Sequence, residues 1–177
     1  AKIRSDETTV LQSVLVILTG LTVVYGLFLP WKATASLTSF FLLSSAYSTP
    51  PLRLKAVPFL DSATNILYVF PGIMGYTLTA SAWPSYQVVV AAGLWTAAMH
   101  LYSAIPDIEA DESADVHTTA VVLGKTNSLI ACSALWSASA ALFISVDPGL
   151  LPVLFYPLMS VLALYHEKVS EQYAVYP

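Results

Sequence analysis

The stretch YQVVVAAGLWTAAMHLYSAIPDIEADESADVHTTAVVLGK, residues 86–125, joins a long apolar segment to an acidic one. Residues 86–105 contain no Asp, Glu, Lys or Arg, and a helix of that length crosses the roughly 30 Å of hydrocarbon in a bilayer. This part predicts a transmembrane helix that ends in a polar segment outside the membrane. That segment holds five of the 11 acidic residues of the chain: Asp107, Glu109, Asp111, Glu112 and Asp115.

Apolar segments on both sides of this stretch predict an all-α polytopic membrane protein. The chain is 56% hydrophobic and 10% charged, with a mean hydropathy of +0.70, and such values are typical of membrane proteins. Small residues recur along several of the segments, which favours close packing of helices into one bundle and one domain. We predict about six spans, at residues 10–29, 33–47, 62–81, 86–105, 127–146 and 149–165, with a kink at Pro71-Gly72.

The basic residues are distributed unevenly over the two faces that six spans create. One face carries six of the seven, and the other carries only Lys32. Because cytoplasmic loops are enriched in Lys and Arg, we expect the six-residue face, both termini and the acidic segment to be cytoplasmic. The net charge of −4 argues against nucleic acid as a partner. The six basic residues are Lys2, Arg4, Arg53, Lys55, Lys125 and Lys168.

The acidic segment has two interpretations from composition alone. If it is helical, Asp107, Asp111 and Asp115 fall at i, i+4 and i+8 and line one face, where their charges repel unless a cation lies between them. Mg²⁺ suits such a place, since it binds one or two carboxylates together with phosphate oxygens. The alternative is a solvated acidic loop without a ligand.

The connection between the second and third spans supplies the opposite charge on the same predicted face. Arg53 and Lys55 lie in this proline-rich connection, and Arg can bind a phosphate through two parallel hydrogen bonds. Carboxylates with Mg²⁺ on one loop and these cations on the other form a candidate diphosphate site. With an apolar bundle beneath it, such a site suits a prenyl diphosphate. The alternative is that the two loops only form exposed ion pairs with each other, which contribute little to stability.

Two segments, YSTPPLRLKAVPFLDSATN and IPDIEADESADVHTTAVVLG, resemble the UbiA superfamily of intramembrane prenyltransferases. Within it, SATNILYVFPGIMGY and MHLYSAIPDIEAD resemble the branch that contains lycopene elongase. The resemblance implies a nine-helix fold, Mg²⁺ and two aspartate-rich motifs, of which Asp107-x-x-x-Asp111 is similar to the second. It also implies that Tyr47, Arg53, Lys55 and Asn65 bind diphosphate, next to Asp61.

The sequence departs from the family pattern in three ways. A first motif of the N-D-x-x-D-x-x-x-D kind is absent, so we expect a piece of a longer protein that begins after that motif and stops before the last helix. Asp115 stands where relatives often have glycine, which weakens its case as a third metal ligand. On this pattern the chain holds six of nine helices and part of the magnesium site.

The resemblance implies transfer of a prenyl group from an allylic diphosphate to a hydrophobic acceptor. His100 is the one residue among Asp, Glu, Lys, Arg and His in the predicted spans and a candidate for removing a proton from the product cation; a neutral histidine bonded within the bundle is the alternative. Tyr68, Tyr76 or Tyr102 could face the cation. Thr118 and Thr119 are candidate helix caps.

The acceptor is left open by the sequence. Lycopene is suggested by the branch resemblance, while a quinone precursor, a chlorophyll-type alcohol or a glycerol ether requires the same diphosphate site. A bundle that binds an isoprenoid or pigment without catalysis is a further alternative. A coupled transporter is disfavoured, since only His100 lies within a span.

Overall fold

The computed structural model describes residues 5–174 of the chain, and the side chains of residues 8–167. The described residues are helical and contain no strand. The α-helices are α1 (Ser5–Gly26), α2 (Trp31–Ser48), α3 (Leu60–Ala63), α4 (Phe70–Ala80), α5 (Tyr86–Ala104), α6 (Ile108–Ser113), α7 (Thr119–Val146) and α8 (Phe155–Ala174). Short 3-10 helices cover Leu54–Ala56, Thr64–Val69, Ile105–Asp107 and Pro148–Leu154.

The predicted membrane class is confirmed by the apolar helices. Within the described residues, four segments are long and apolar enough to cross a bilayer: Thr8–Gly26, Tyr86–Ser113, Thr119–Val146 and Pro148–Glu167. The other two predicted spans are also helical: one is the Ser- and Thr-rich α2, and the other is divided among α3, a 3-10 helix and α4. Large apolar side chains are exposed along α1 and α8, as expected of surfaces that face lipid.

Helices α5 and α7 pack side by side and form the core. Ala98 and Cys132 are fully buried between them, and small residues at such contacts let helix backbones approach closely. The largest buried side chain is Trp136, whose ring lies 5.5 Å from those of Tyr102 and Tyr156. This core fixes the end of α5 relative to the start of α7, and the candidate site lies there.

A serine hydroxyl on one core helix forms a hydrogen bond with the backbone of the other. The hydroxyl of Ser139 on α7 is buried and donates to the carbonyl oxygen of Ala91 on α5 at 2.8 Å. We expect Ser139→Ala to lower the free energy of unfolding by about 1 kcal/mol, the scale of interhelical bonds in membranes. Thermal unfolding in detergent checks this, with Ser145→Ala as control, since the exposed Ser145 hydroxyl bonds within its own helix. Equal melting temperatures of the two variants would contradict it.

The third predicted span is not one kinked helix. Residues 64–69 are 3-10 helical, and regular α-helix begins at Phe70 with Pro71 in its first turn. Proline fits that turn because its missing N–H has no partner there. The break therefore precedes the expected kink at Pro71-Gly72.

Helix α7 begins earlier than residue 127, where the predicted fifth span starts. The Thr118 hydroxyl accepts the N–H of Val121, so the predicted cap at Thr118 is confirmed. Gly124 then interrupts the helix with φ 70° and ψ 169°, a conformation that glycine adopts readily. The first turn, Thr119–Leu123, is thereby set apart from the rest of the helix, and Thr119 at its start contacts the backbone N–H of Phe59.

The two ends of the bundle differ in charge. At one end, Lys32 Nζ donates to the carbonyl of Ser81 at 2.7 Å and the rings of Trp31 and Trp83 lie 5.7 Å apart. Arg53, Lys55 and the acidic segment lie at the other end, which agrees with the predicted separation. The side chains of Lys2, Arg4 and Lys168, which belong to the same charge count, lie outside the described residues.

Candidate active site at the loop junction

Asp61 is the centre of the polar contacts at this end of the bundle. Its side chain is fully buried and accepts the N–H of Ser62 at 2.8 Å and the N–H of Thr119 at 2.9 Å. The Thr119 hydroxyl also donates to the Asp61 carboxyl. A buried acidic group is retained only when such donors compensate its lost hydration. Asp61 thus ties the start of α3 to the start of α7, 58 residues away.

The two charged loops meet through consecutive threonines. The hydroxyl of Thr119 accepts the N–H of Phe59 at 2.6 Å, and the hydroxyl of Thr118 donates to Asp111 Oδ2 at 3.3 Å. The basic loop is therefore held on one side of this pair, and the acidic helix α6 on the other. We call the cluster of Phe59, Asp61, Thr118 and Thr119 the loop junction.

Three residues predicted as site residues lie around Asp61. His100 Nε2 lies 3.9 Å from Asp61 Oδ2, longer than a hydrogen bond but within the range of a close charge contact. The ring of Tyr47 meets that of His100 edge to face, with centroids 6.3 Å apart. Asn65 is buried and donates to the backbone carbonyl of Asp61 at 2.5 Å. The fold thus brings together Tyr47, Asn65 and His100 from three separate helical segments.

Arg53 and Lys55 lie in the loop that Phe59 and Asp61 anchor. Both side chains are exposed, and within the described side chains neither forms an ion pair with a carboxylate. Arg53 has φ 39° and ψ 53°, in the left-handed region that non-glycine residues seldom occupy. Such strain persists where surrounding structure enforces it, and it is often found at functional sites.

The acidic residues do not form the three-carboxylate face that a continuous helix would give. Asp107 directly precedes α6 and is exposed, whereas Asp111 lies within α6 and is half-buried. Helix α6 ends at Ser113, and Asp115 follows with φ 55° and a side chain that is 96% exposed. The expectation that Asp107, Asp111 and Asp115 share one helix face is therefore wrong, because the helix stops one turn too early.

The remaining carboxylates, Asp107 and Asp111, fit Mg²⁺ only if a phosphate group supplies further ligands. Among the described side chains, no three His, Cys, Asp or Glu residues are grouped so that they could hold a metal ion. Mg²⁺ commonly takes one or two protein carboxylates and completes its shell with water and substrate phosphates. Asp107 and Asp111, four residues apart around α6, offer such an oxygen-only pair. The pair fits a Mg²⁺ ion shared with a phosphate group better than one held by protein alone.

Two apolar cavities adjoin the polar residues on different sides of α5. One, of about 310 Å³, is lined by His100, Asn65, Tyr68 and Trp95 among others. The other, of about 470 Å³, contacts Ser62 and Thr119 and is otherwise almost entirely aliphatic. Hydrophobic chains therefore have space directly beside the loop junction.

Sequence reasoning did not assign the central role to Asp61 or the linking role to Thr119. Asp61 entered only as a neighbour of Asn65 in the family resemblance, and Thr119 only as a helix cap. The available signal was a lone acidic residue directly before an apolar segment, where desolvation requires a buried partner. The partner itself is separated by 58 positions, so spacing within either segment does not reveal it.

These features define a helical integral membrane protein with a polar site at one end of its bundle. Residues 3–173 match the model of the UbiA prenyltransferase family, and the chain belongs to that family. The resemblance seen in the sequence is thereby confirmed over nearly the whole chain.

Curated relatives place the chain close to one branch of that family. It is 43% identical over 124 residues to the lycopene elongase/hydratase of Haloarcula japonica. This match covers 70% of the present chain and 42% of the relative. It is 44% identical over 133 residues to the protein of the same name from Halobacterium salinarum, covering 74% and 48%. A C(50) beta-cyclic carotenoids biosynthesis protein of Dietzia sp. is 35% identical over 152 residues, covering 82% and 32%.

The chain thus spans less than half the length of these relatives. No solved structure matches it significantly.

Proposed function

We propose that the full-length protein transfers a prenyl group from an allylic prenyl diphosphate to lycopene within the membrane. The observation that carries the proposal is the loop junction, where Asp61 and the Thr118-Thr119 pair hold a basic and an acidic loop together above apolar cavities. The names of the relatives, lycopene elongase/hydratase, support lycopene as the acceptor. Transfer to a quinone precursor or to another isoprenoid acceptor is the alternative result of the test described below.

The diphosphate is proposed to lie between the two loops. Arg53 and Lys55 bind its oxygens from one side, Arg53 through paired hydrogen bonds. Tyr47 and Asn65 line the same region below. Asp107 and Asp111 would hold Mg²⁺, which when bound neutralises charge on the departing diphosphate. We further propose that both loops face the cytoplasm, on the basis of the uneven distribution of basic residues.

The proposed reaction exchanges one bond for another. The allylic C–O bond breaks and the diphosphate leaves with the electron pair, which gives an allylic cation. A terminal double bond of lycopene supplies the electron pair for a new C–C bond and becomes a cation itself. Loss of a proton to His100 then restores a double bond, or water adds to the cation and loses a proton to give an alcohol, consistent with the second half of the relatives' name.

His100 can act as the base because Asp61 lies beside it. The Asp61 carboxyl, 3.9 Å from Nε2, would stabilise the imidazolium that forms when the ring accepts the proton. His100 also lines the smaller apolar cavity, so it reaches the space in which a hydrocarbon cation would lie. Asp61 is therefore a positioning residue in this scheme.

The test uses full-length protein in liposomes with lycopene and an isotopically labelled allylic prenyl diphosphate. We expect diphosphate release coupled to formation of an elongated carotenoid, and a decrease on the order of 100-fold in kcat for His100→Phe, the scale of general base catalysis. The remaining product of this variant should contain a larger fraction of alcohol. The exposed His117 provides the control, and His117→Phe should retain the wild-type rate.

Three results would contradict the proposal. Formation of product from a quinone precursor but not from lycopene would show that the acceptor is a quinone precursor. Lack of diphosphate release with every acceptor would favour the non-catalytic binding protein. Equal rates and product ratios for the two histidine variants would remove His100 from the mechanism.

A further inference from the structure

We infer that a groove along helices α4 and α5 holds the polyene chain of the acceptor, and that Gly72 determines how deeply the chain enters. The inference rests on the proposed function and adds to it the place of the acceptor and a residue that controls its length. The groove consists of the 310 Å³ cavity beside His100 and a second cavity of about 410 Å³. Both are lined by Tyr68, Trp95 and Thr96, so they lie side by side along α5.

The groove is long and starts at the reacting end of the site. Along α5 it is lined from His100 to Val88, twelve residues that correspond to about 18 Å of helix. Such a length accommodates several isoprene units in an extended conformation. In the proposed reaction the acceptor cation lies next to His100, so the rest of the acceptor must extend away from it, and the groove follows that direction.

The lining favours a flat conjugated chain over a flexible one. Rings of Tyr68, Tyr76 and Trp95 line the groove, and aromatic faces pack well against planar π systems. The 470 Å³ cavity on the other side of α5 is lined mainly by aliphatic residues such as Ile66, Leu94 and Leu135. This contrast assigns the polyene to the aromatic groove.

Gly72 leaves space in the groove. It lines the deeper cavity, and a Cβ atom at Gly72 would meet no atom within 4 Å. A Cβ atom at this position therefore displaces no protein atom, and a longer side chain there would extend beside the groove that Gly72 lines. Gly75, one turn later on α4, also has open space around its Cβ position but does not line the groove. The two glycines form a matched pair, because both belong to α4 and both have open space at the Cβ position.

The experiment compares Gly72→Leu and Gly75→Leu in the full-length protein with two acceptors. These are lycopene and a shortened apocarotenoid that carries the same reacting end. For Gly72→Leu we expect kcat/KM for lycopene to decrease by about tenfold or more, the scale of a steric mismatch in an apolar pocket, with little change for the short acceptor. Gly75→Leu should resemble wild type with both acceptors, and Gly72→Ala should give a smaller decrease with lycopene.

Each result decides a separate point. Wild-type kinetics of Gly72→Leu with lycopene would overturn the groove, as would equal losses with both acceptors. If Gly72→Leu does not fold, Gly72→Ala carries the comparison alone, and unchanged lycopene kinetics in that variant would overturn the inference. Failure of the wild-type protein to release diphosphate with either acceptor would overturn the proposed function instead.

Discussion

Replacing Asp61 with alanine is expected to lower the free energy of unfolding by about 4 kcal/mol and to abolish prenyl transfer. Two backbone N–H groups, of Ser62 and Thr119, and the Thr119 hydroxyl donate to this carboxyl in a buried environment. Each buried donor left without an acceptor costs about 1–3 kcal/mol. Thermal unfolding of the full-length protein in detergent measures the first effect, and the liposome assay measures the second.

Two further variants separate the role of Asp61 from the general effect of losing an aspartate. Asp147 accepts the N–H of Gly149 at an exposed turn, so Asp147→Ala should cost no more than about 1 kcal/mol. Asp61→Asn keeps one acceptor oxygen and should be more stable than Asp61→Ala. Its prenyl transfer should nevertheless be slow, because the partner of His100 loses its charge. A melting temperature of Asp61→Ala equal to that of Asp147→Ala would show that the loop junction does not stabilise the fold.

Replacing Asp111 with asparagine is expected to reduce kcat on the order of 1000-fold while the melting temperature stays near that of wild type. The amide can still accept the hydrogen bond that Thr118 donates to Asp111, so the loop contact is retained. The carboxylate charge is lost, and electrostatic stabilisation of a departing diphosphate is usually the largest catalytic contribution. Measuring kcat against Mg²⁺ concentration should also show that this variant requires more Mg²⁺.

The neighbouring Glu112 supplies the control for Asp111. Glu112 is exposed on the same short helix, so Glu112→Gln removes the same charge from the segment without touching the loop junction. It should keep nearly the wild-type rate and Mg²⁺ requirement. Similar losses in Asp111→Asn and Glu112→Gln would indicate that the acidic segment acts through its total charge, as a solvated loop would.

The long helices could be predicted from the sequence because their signal is local. An uninterrupted apolar run predicts a span without knowledge of its neighbours, and residues 86–105 are such a run. The third span was less accessible, since whether residues 64–69 become α- or 3-10 helical depends on packing against α2 and α5 rather than on hydropathy. The early start of α7 was obscured by Gly124, which interrupts the helix without ending it.

The candidate site could be predicted only in part, for a related reason. His100, Asp111 and Arg53 stand out because charged residues are rare in this chain. Asp115 stood out equally, but its spacing matters only in a continuous helix, and α6 is six residues long. The importance of Asp61 could not be predicted, because it depends on a hydrogen bond with Thr119, which only the tertiary fold brings near.

Binding of an unreactive prenyl thiodiphosphate to the full-length protein, with and without Mg²⁺, tests the placement of diphosphate between the two loops most directly. We expect Mg²⁺ to strengthen binding by about tenfold in the wild-type protein, a difference of about 1.4 kcal/mol. At the Mg²⁺ concentration that gives the wild-type protein this gain, Asp111→Asn should bind as wild type does without Mg²⁺, whereas Arg53→Gln should bind more weakly under both conditions. Binding that is insensitive to Mg²⁺ in the wild-type protein, or unchanged in Arg53→Gln, would contradict a shared diphosphate site.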